Sequence, residues 1–364
     1  MKMPSDFIRA EILRQGEISF ARFMEWALYC PETGFYESEK DTVGRSGEFI
    51  TSVSVGSLFG ELLAFQFAEW LEELAIADSK LQIVEAGAHD GKLAADILNW
   101  LQLHRPNLFF RMEYLILEPA MRRQNWQRET LKTFPNVRWL QRMDAGSQRI
   151  FNGIIFGNEL LDAFPVRRFG WDRRQRVWFE WGVALEGEHF CWTKMSKTPF
   201  DLASSILNLP SSLLEVLPDG YILEASPAAE AWWRDAAATL ARGKLVAIDY
   251  GFSDNEQVSP ARQNGTLRAY SRHRVSDDLL ARPGEQDLTA HVNFPAIRRA
   301  GETDGLVTEN FCTQPQFLTR IFSRAVGDKG DAFAALDAKK VRQFQNLTHP
   351  EHLGRAFKVL VQRR

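Results

Sequence analysis

From residue 81 onward, short apolar runs alternate with helical stretches, and this alternation constrains the fold more than any other feature. "LQIVEAG" reads as a buried strand and "KLAADILNWLQLH" as the helix after it. "RMEYLILEP" and "AMRRQNWQRETLKTF" repeat the pattern, followed by the strands "NVRWLQRM" and "GIIFGNEL". The helix "SPAAEAWWRDAAATLARG" should end at Gly243 and lead into the strand "KLVAIDYG"; "FPAIRRAGE" is a helix, and "GLVTENFC" and "FKVLVQ" are strands. Strands this short and this uniformly apolar are buried on both faces, which implies a mainly parallel sheet covered by helices. The expected fold class is α/β, a Rossmann-like seven-stranded sheet with strands near 82, 113, 137, 153, 245, 306 and 357.

Two regions do not fit the alternation. Residues 1–75 read as an N-terminal helical segment, with apolar residues at the helical period in "GSLFGELLAFQFAEWLEELAIA". The long loop "CPETGFYESEKDTVGRSGEFITSVSV" inside it is of a length that is often functional, and it is expected to cover a ligand. Residues 76–364 then form the main domain, with insertions at about 165–220 and 252–292. The first insertion, "VRRFGWDRRQRVWFEWGVALEGEHFCWTKM", alternates aromatic and polar residues and reads as an inserted antiparallel β meander. Its aromatic residues offer either a contact surface for a partner or second copy, or an extra layer packed on the protein itself.

Composition narrows the partners. A net charge of −3 gives no basic footprint, so no nucleic-acid partner is expected. The cluster Arg167, Arg168, Arg173 and Arg174 reads as a solvated hairpin. Cys30, Cys191 and Cys312 lie far apart and suggest free thiols, a reducing compartment and no metal site. The first twenty residues lack an apolar signal core, and no run of about 18 apolar residues occurs, so a cytoplasmic protein without membrane insertion is expected.

In open α/β sheets the ligand sits beyond the carboxyl ends of the strands. The first such end reads Glu85-x-Gly87-x-His89-x-Gly91. The spacing is wrong for a dinucleotide fingerprint and closer to the E-x-G-x-G-x-G turn of nucleoside-dependent methyltransferases. Gly87 and Gly91 would supply permissive φ angles, His89 is tolerated with positive φ, and Glu85 could orient an ammonium group. The alternative is a plain strand–helix turn. Glu118 ends the second strand, where a carboxylate can accept hydrogen bonds from ribose hydroxyls; the alternative is a glutamate at a helix entry, before Pro119. Beyond the fourth strand, Asn158, Glu159 and Asp162 place three polar side chains within "NELLDAFPV", where this fold class meets a methyl acceptor; helix capping by Asn158 is the alternative.

With these stretches in place, the sequence resembles the MidA-like S-adenosylmethionine-dependent methyltransferases, a family that includes a mitochondrial complex I assembly factor that methylates a protein arginine. The resemblance spans nearly the whole chain, through "LYCPETGFY", "GEFITS" with "FGELLA", "VEAGAHDGKLAADIL", "LEPAMRRQ", "NELLDAFPV", "IDYGF", "NGTLRAYSRH", "PGEQDLTAHVNF" and "LTHPEHLGRAFKVL". It implies a class I methyltransferase fold with S-adenosylmethionine as cofactor. It implies cofactor contacts from Gly47, Thr51, Ser52, Gly60, Glu85, Gly87, Gly91, Glu118 and Asn158. It implies acceptor-side roles for Glu159, Asp162, Gln286, Asp287 and His291. This chain departs from the family at Glu48 (usually Asp), Val53 (usually Pro) and His89 (usually Gly).

Two classes of function follow. One is an active methyltransferase acting on a protein acceptor, arginine by resemblance. Glu159 and Asp162 would hold the guanidinium, and Asp287 or His291 would take up its proton. A small-molecule acceptor is a variant of this class. The other is an assembly or chaperone-like protein that binds the cofactor without turnover.

Overall fold

The computed structural model describes residues 2–38, 51–74, 80–143, 150–196, 209, 211–256, 258–271, 274–276, 278–327, 337–349 and 357–364. The expected cofactor residue Gly47, and Glu48 beside it, lie outside the described residues.

The chain opens with α1 (Pro4–Gln15), β1 (Ile18–Ser19), α2 (Phe20–Tyr29) and α3 (Leu58–Leu74). Ser19 caps α2, its hydroxyl accepting the Arg22 N–H at 3.2 Å. Next come β2 (Leu81–Ala86), α4 (Lys92–His104), α5 (Pro106–Arg111), β3 (Met112–Leu117), α6 (Met121–Thr130), β4 (Val137–Leu140) and β5 (Phe151–Asn158). A short 3-10 turn, Leu161–Ala163, leads to β6 (Arg167–Asp172), β7 (Val177–Glu186), β8 (His189–Lys194), α7 (Ser211–Val216) and β9 (Ile222–Ala225). Then follow α8 (Pro227–Thr239), β10 (Leu240–Phe252), β11 (Arg268–Ser271), β12 (Arg274–Ser276), β13 (Asp287–Thr289) and β14 (Val292–Asn293). The chain closes with α9 (Phe294–Thr303), β15 (Val307–Thr313), α10 (Gln314–Gly327), α11 (Ala338–Thr348) and β16 (Phe357–Arg363).

The main sheet runs in the order β15-β16-β10-β5-β2-β3-β4. Pairing is parallel from β10 through β4, and β16 enters antiparallel between β10 and β15. All seven expected strands are in this sheet, which has eight among the described residues because the two-residue β14 pairs with the end of β10. One face packs against α3, α4, α10 and α11, and the other against α8 and α9. Strand order reverses between β5 and β3 on either side of β2, so the crevice beyond the β2, β5 and β10 ends is the topological switch point.

Gly243 does not cap a helix as expected. α8 ends at Thr239, and Gly243 lies within β10 at φ +134, opposite Gly153 of β5. A Cβ there would fall 1.8 Å from the Gly153 carbonyl oxygen, so the glycine permits close strand contact beside a register shift.

The meander is a separate sheet in the order β1-β7-β6-β9, with β8 on β7. Several of its aromatic residues pack on the protein itself, the second of the two expected arrangements. Phe169 and Trp171 are buried, Trp192 packs on Phe20, and Phe190 packs on Phe23. The arginine cluster divides likewise: Arg173 and Arg174 are exposed, whereas Arg167 pairs with the buried Glu180 and Arg168 with Glu224. The expected loop at 252–292 holds the small sheet β12-β11-β13. Together α1, α2, the meander and this small sheet share one core, which roofs the switch point.

Candidate functional site

A cavity of about 1250 Å³ opens at the switch point, lined by Glu85–Asp90, Glu118, Asn158–Leu160, Asp162, Tyr250, Asp287 and the N-terminal Tyr29 and Tyr36. Typical small-ligand pockets run from roughly 300 to 1,000 Å³, so this one has room for a nucleoside and a second reactant.

The strand–helix turn builds one wall. Gly91 precedes α4 in the left-handed conformation, φ +82, and a Cβ on it would come within 3.2 Å of Leu131. It shapes the turn without lining the cavity, whereas Gly87, at φ +75, lines it. His89 also has positive φ, +47, and its ring turns toward the exposed Asp90, with Nδ1 3.8 Å from the carboxylate. Glu85 is buried, and one of its oxygens accepts the Tyr114 hydroxyl at 2.6 Å. Burial pushes its carboxyl up to about 7, against the pull of that hydrogen bond.

Glu118 is held firmly. Its carboxylate accepts the Ala120 N–H at 2.9 Å and the Gln127 amide at 3.2 Å. The same Gln127 nitrogen donates to the His89 carbonyl at 3.0 Å, and Gln127 Oε1 accepts the Trp139 indole N–H at 2.9 Å. Gln127, 38 positions from His89, thus ties the glycine turn to Glu118.

The opposite wall is acidic. Glu159 has φ +50, a strained backbone for a non-glycine residue and common at functional sites. Its Oε1 accepts the Ser52 N–H at 3.2 Å and the Asn158 amide at 3.3 Å. Burial and then neighbouring Asp162 push it up to about 8. Asp162 is buried, accepts the Tyr250 hydroxyl and is pushed up to about 6, chiefly by burial. Asp287, from β13, accepts the Tyr36 hydroxyl at 2.7 Å. Among the described residues, neither Glu159 nor Asp162 pairs with a Lys or Arg. Asp249 braces the wall from behind, its Oδ2 accepting the N–H groups of Leu160, Leu161 and Asp162 at 3.1, 2.8 and 3.3 Å. The roof is pinned by Tyr29, which donates to the Ala163 carbonyl at 2.9 Å, and by Arg123, whose Nε donates to the Tyr36 carbonyl at 2.9 Å.

Besides Gly91, four expected site residues sit elsewhere. Gly60 is buried in α3, where a Cβ would meet Asp96 of α4 at 2.5 Å; it serves helix packing and does not line the cavity. Ser52 lies behind Glu159, with its hydroxyl turned to Gln314, while its neighbour Thr51 does line the cavity. Gln286 directs its amide nitrogen to the Asp278 and Ala281 carbonyls. His291 is outside the cavity, edge-on to the Tyr250 ring at 5.7 Å; burial, with Arg262 and Arg268, lowers it to about 4, which makes it a poor base. Asp249, Tyr250, Gln127, Tyr29 and Tyr36 were not singled out individually from sequence. The only signal for the first two was their place at the end of a strand.

The cavity's own groups fit S-adenosylmethionine. Among the described residues Asn158 Oδ1 is buried without a partner and Glu85 is a buried carboxylate without an ion pair, and Gly87 exposes its backbone to the cavity. A mainly parallel sheet with a glycine turn, a buried glutamate at the end of the next strand and an acidic wall is the arrangement expected of a nucleoside-dependent α/β methyltransferase. The chain belongs to the family of putative S-adenosyl-L-methionine-dependent methyltransferases, whose model matches residues 62–312. It is thus a methyltransferase and uses S-adenosylmethionine.

Similar proteins agree with this. The mitochondrial protein arginine methyltransferase NDUFAF7 homolog of Drosophila melanogaster is 26% identical, over 97% of this chain and 83% of its own. The Danio rerio protein arginine methyltransferase NDUFAF7 is 26% identical, over 96% and 84%. A Burkholderia thailandensis protein solved with bound S-adenosyl-homocysteine is 32% identical, with a TM-score of 0.85 over 99% of this chain and 92% of that one.

Proposed function

We propose that this chain transfers the S-adenosylmethionine methyl group to an arginine side chain of a protein. The observation that carries this reading is the acidic wall: Glu159 and Asp162 face the cavity with raised proton affinity and, among the described residues, no cationic partner. Buried carboxylates that crowd one another in this way favour a cation. A planar guanidinium suits them because it pairs with carboxylates through parallel N–H donors. The names of the fly and zebrafish relatives support the same acceptor.

In this reading Glu118 holds the ribose hydroxyls and Glu85, with Asn158, the ammonium end. Bound S-adenosylmethionine supplies an electrophilic methyl group on a sulfonium. Glu159 and Asp162 orient the guanidinium so that one nitrogen faces that methyl, and Tyr29 and Tyr36 close the pocket against water. As the nitrogen takes the methyl group, the sulfonium–methyl bond would break to leave a neutral thioether, and the nitrogen would shed a proton to the Glu159 carboxylate. Asp287 holds Tyr36 in place and adds negative charge. In this reading α1, α2 and the two insertions supply the acceptor-side roof, and the main sheet with its helices, α3 included, supplies the cofactor floor. The compartment is the sequence's cytoplasmic expectation, whereas these relatives are named as mitochondrial. No described helix is long and apolar enough to cross a membrane.

The test is incubation of the purified chain with methyl-labelled S-adenosylmethionine and a lysate, followed by acid hydrolysis of the labelled protein. Label in methylarginine is expected. Label confined to small molecules would replace the protein acceptor with a metabolite, and no label at all would favour an assembly role.

A further inference from the structure

Buried amides on the last two described helices reach across the molecule to the segment that supports Glu159. Gln314, the first residue of α10, is fully buried. Its Oε1 accepts the Ser52 hydroxyl at 3.2 Å, and its Nε2 donates to the Leu347 carbonyl of α11 at 3.2 Å. Ser52 in turn gives its backbone N–H to Glu159 Oε1 at 3.2 Å. A second amide fixes the far end of the same segment: Gln343 of α11 accepts the Leu58 N–H at 3.1 Å. Its side chain lies where a Cβ on Gly56 would sit, 2.2 Å away, so the segment and helix are in close contact there.

We propose that Gln314 is a positioning residue for Glu159, acting through Ser52 without touching cofactor or acceptor. The proposal rests on the reading that Glu159 meets the acceptor. Glu159 sits on a strained left-handed backbone, so local preference does not by itself fix its side chain. Two donors do. Asn158 is the preceding residue and moves with Glu159; Ser52 is the donor from a separate part of the chain, 107 residues away. The charged neighbours of Glu159 are Asp162 from the 3-10 turn, Asp249 from β10 and Asp287 from β13, all acidic. Donors rather than cations therefore hold the carboxylate ready, and the Ser52 N–H favours its charged form. Gln314 keeps that N–H in place by anchoring the Ser52 side chain to two helices.

The test is a carbon-13 NMR titration of the Glu159 carboxyl in the full ligand-free chain, comparing wild type, Ser52→Ala, Gln314→Met and the double variant. The midpoint should rise in each single variant by about half a pH unit or more. The double variant should move no further than the larger single one, because both cut one chain of contacts. S-adenosylhomocysteine affinity should stay at the wild-type value. If Gln314→Met fails to fold, the smaller change Ser52→Ala carries the test. A midpoint unmoved in folded Ser52→Ala, or shifts that add in the double variant, would overturn the proposal. The titration involves no acceptor, so its failure is distinct from a failure of the arginine reading, which the label in methylarginine decides.

Discussion

The backbone N–H of Ser52 and the carboxylate of Glu159 meet at 3.2 Å across 107 residues of sequence. This contact joins the segment before α3 to the end of β5, and it separates two roles that lie close together in the cavity. In the proposed reaction Ser52 supports a carboxylate on the acceptor side, and the nucleoside side is left to Glu85 and Glu118. Glu159→Gln should therefore leave S-adenosylmethionine affinity near wild type and lower methyl transfer by on the order of 10²-fold or more. Calorimetry and turnover on the one variant decide it. A proportionate loss of affinity would make Glu159 a cofactor ligand.

Glu159 also gives stability a pH dependence. Its carboxyl is raised from the ordinary 4.5 to about 8 by burial and by Asp162. The folded state therefore holds a proton that the unfolded chain releases, and native stability is lost as pH rises from about 5 through 8. Glu159→Gln cannot ionise, so it should melt several degrees above wild type at pH 9 and close to it at pH 4.5. Parallel melting curves at both pH values would refute the ionisation described here.

In the proposed arrangement Glu85 gives cofactor binding a pH dependence. Burial raises it to about 7, and an ammonium partner would require the charged form. S-adenosylmethionine affinity should climb as pH rises from 6 toward 8, with a proton released on binding at the lower end. Calorimetry in two buffers of different ionisation enthalpy measures that proton directly. Affinity that is flat over this range would remove Glu85 from the ammonium.

The tie made by Gln127 predicts a graded pair. Glu118→Ala should weaken nucleoside binding by about 1.5–3 kcal/mol for each hydrogen bond lost. Gln127→Leu should weaken it by less, since it loosens Glu118 and the His89 carbonyl without removing a ligand. His89→Gly should leave affinity unchanged or raise it, because glycine relieves the positive φ and removes bulk. Loss of binding in His89→Gly would make the imidazole a ligand.

Much of the floor was legible in the sequence, because apolar strands ending in acids or glycine announce both the sheet and its carboxyl edge. Glu85, Gly87, Glu118, Asn158, Glu159 and Asp162 all line the cavity from such ends. The roof was not legible. Tyr36 finds Asp287 across 251 residues, Tyr250 finds Asp162 across 88, and Ser52 finds Gln314 across 262. A buried tyrosine or glutamine looks like a surface one until the fold places its partner. Motif neighbours misled for a related reason. His291 lies four residues beyond Asp287, but the chain turns after β13 and carries its ring behind Tyr250. Gly60 marks a close approach of α3 to α4, a packing need that a motif cannot distinguish from a ligand contact.

In the proposed reaction Glu118 and the Glu159–Asp162 pair meet different partners. The most direct measurement is a crystal structure of the chain with S-adenosylhomocysteine and an arginine-containing peptide. Glu118 is expected on the ribose hydroxyls, and Glu159 and Asp162 within hydrogen-bond distance of the guanidinium beside the sulfur. A nucleoside bound by Glu159, or a guanidinium seated away from both carboxylates, would contradict it.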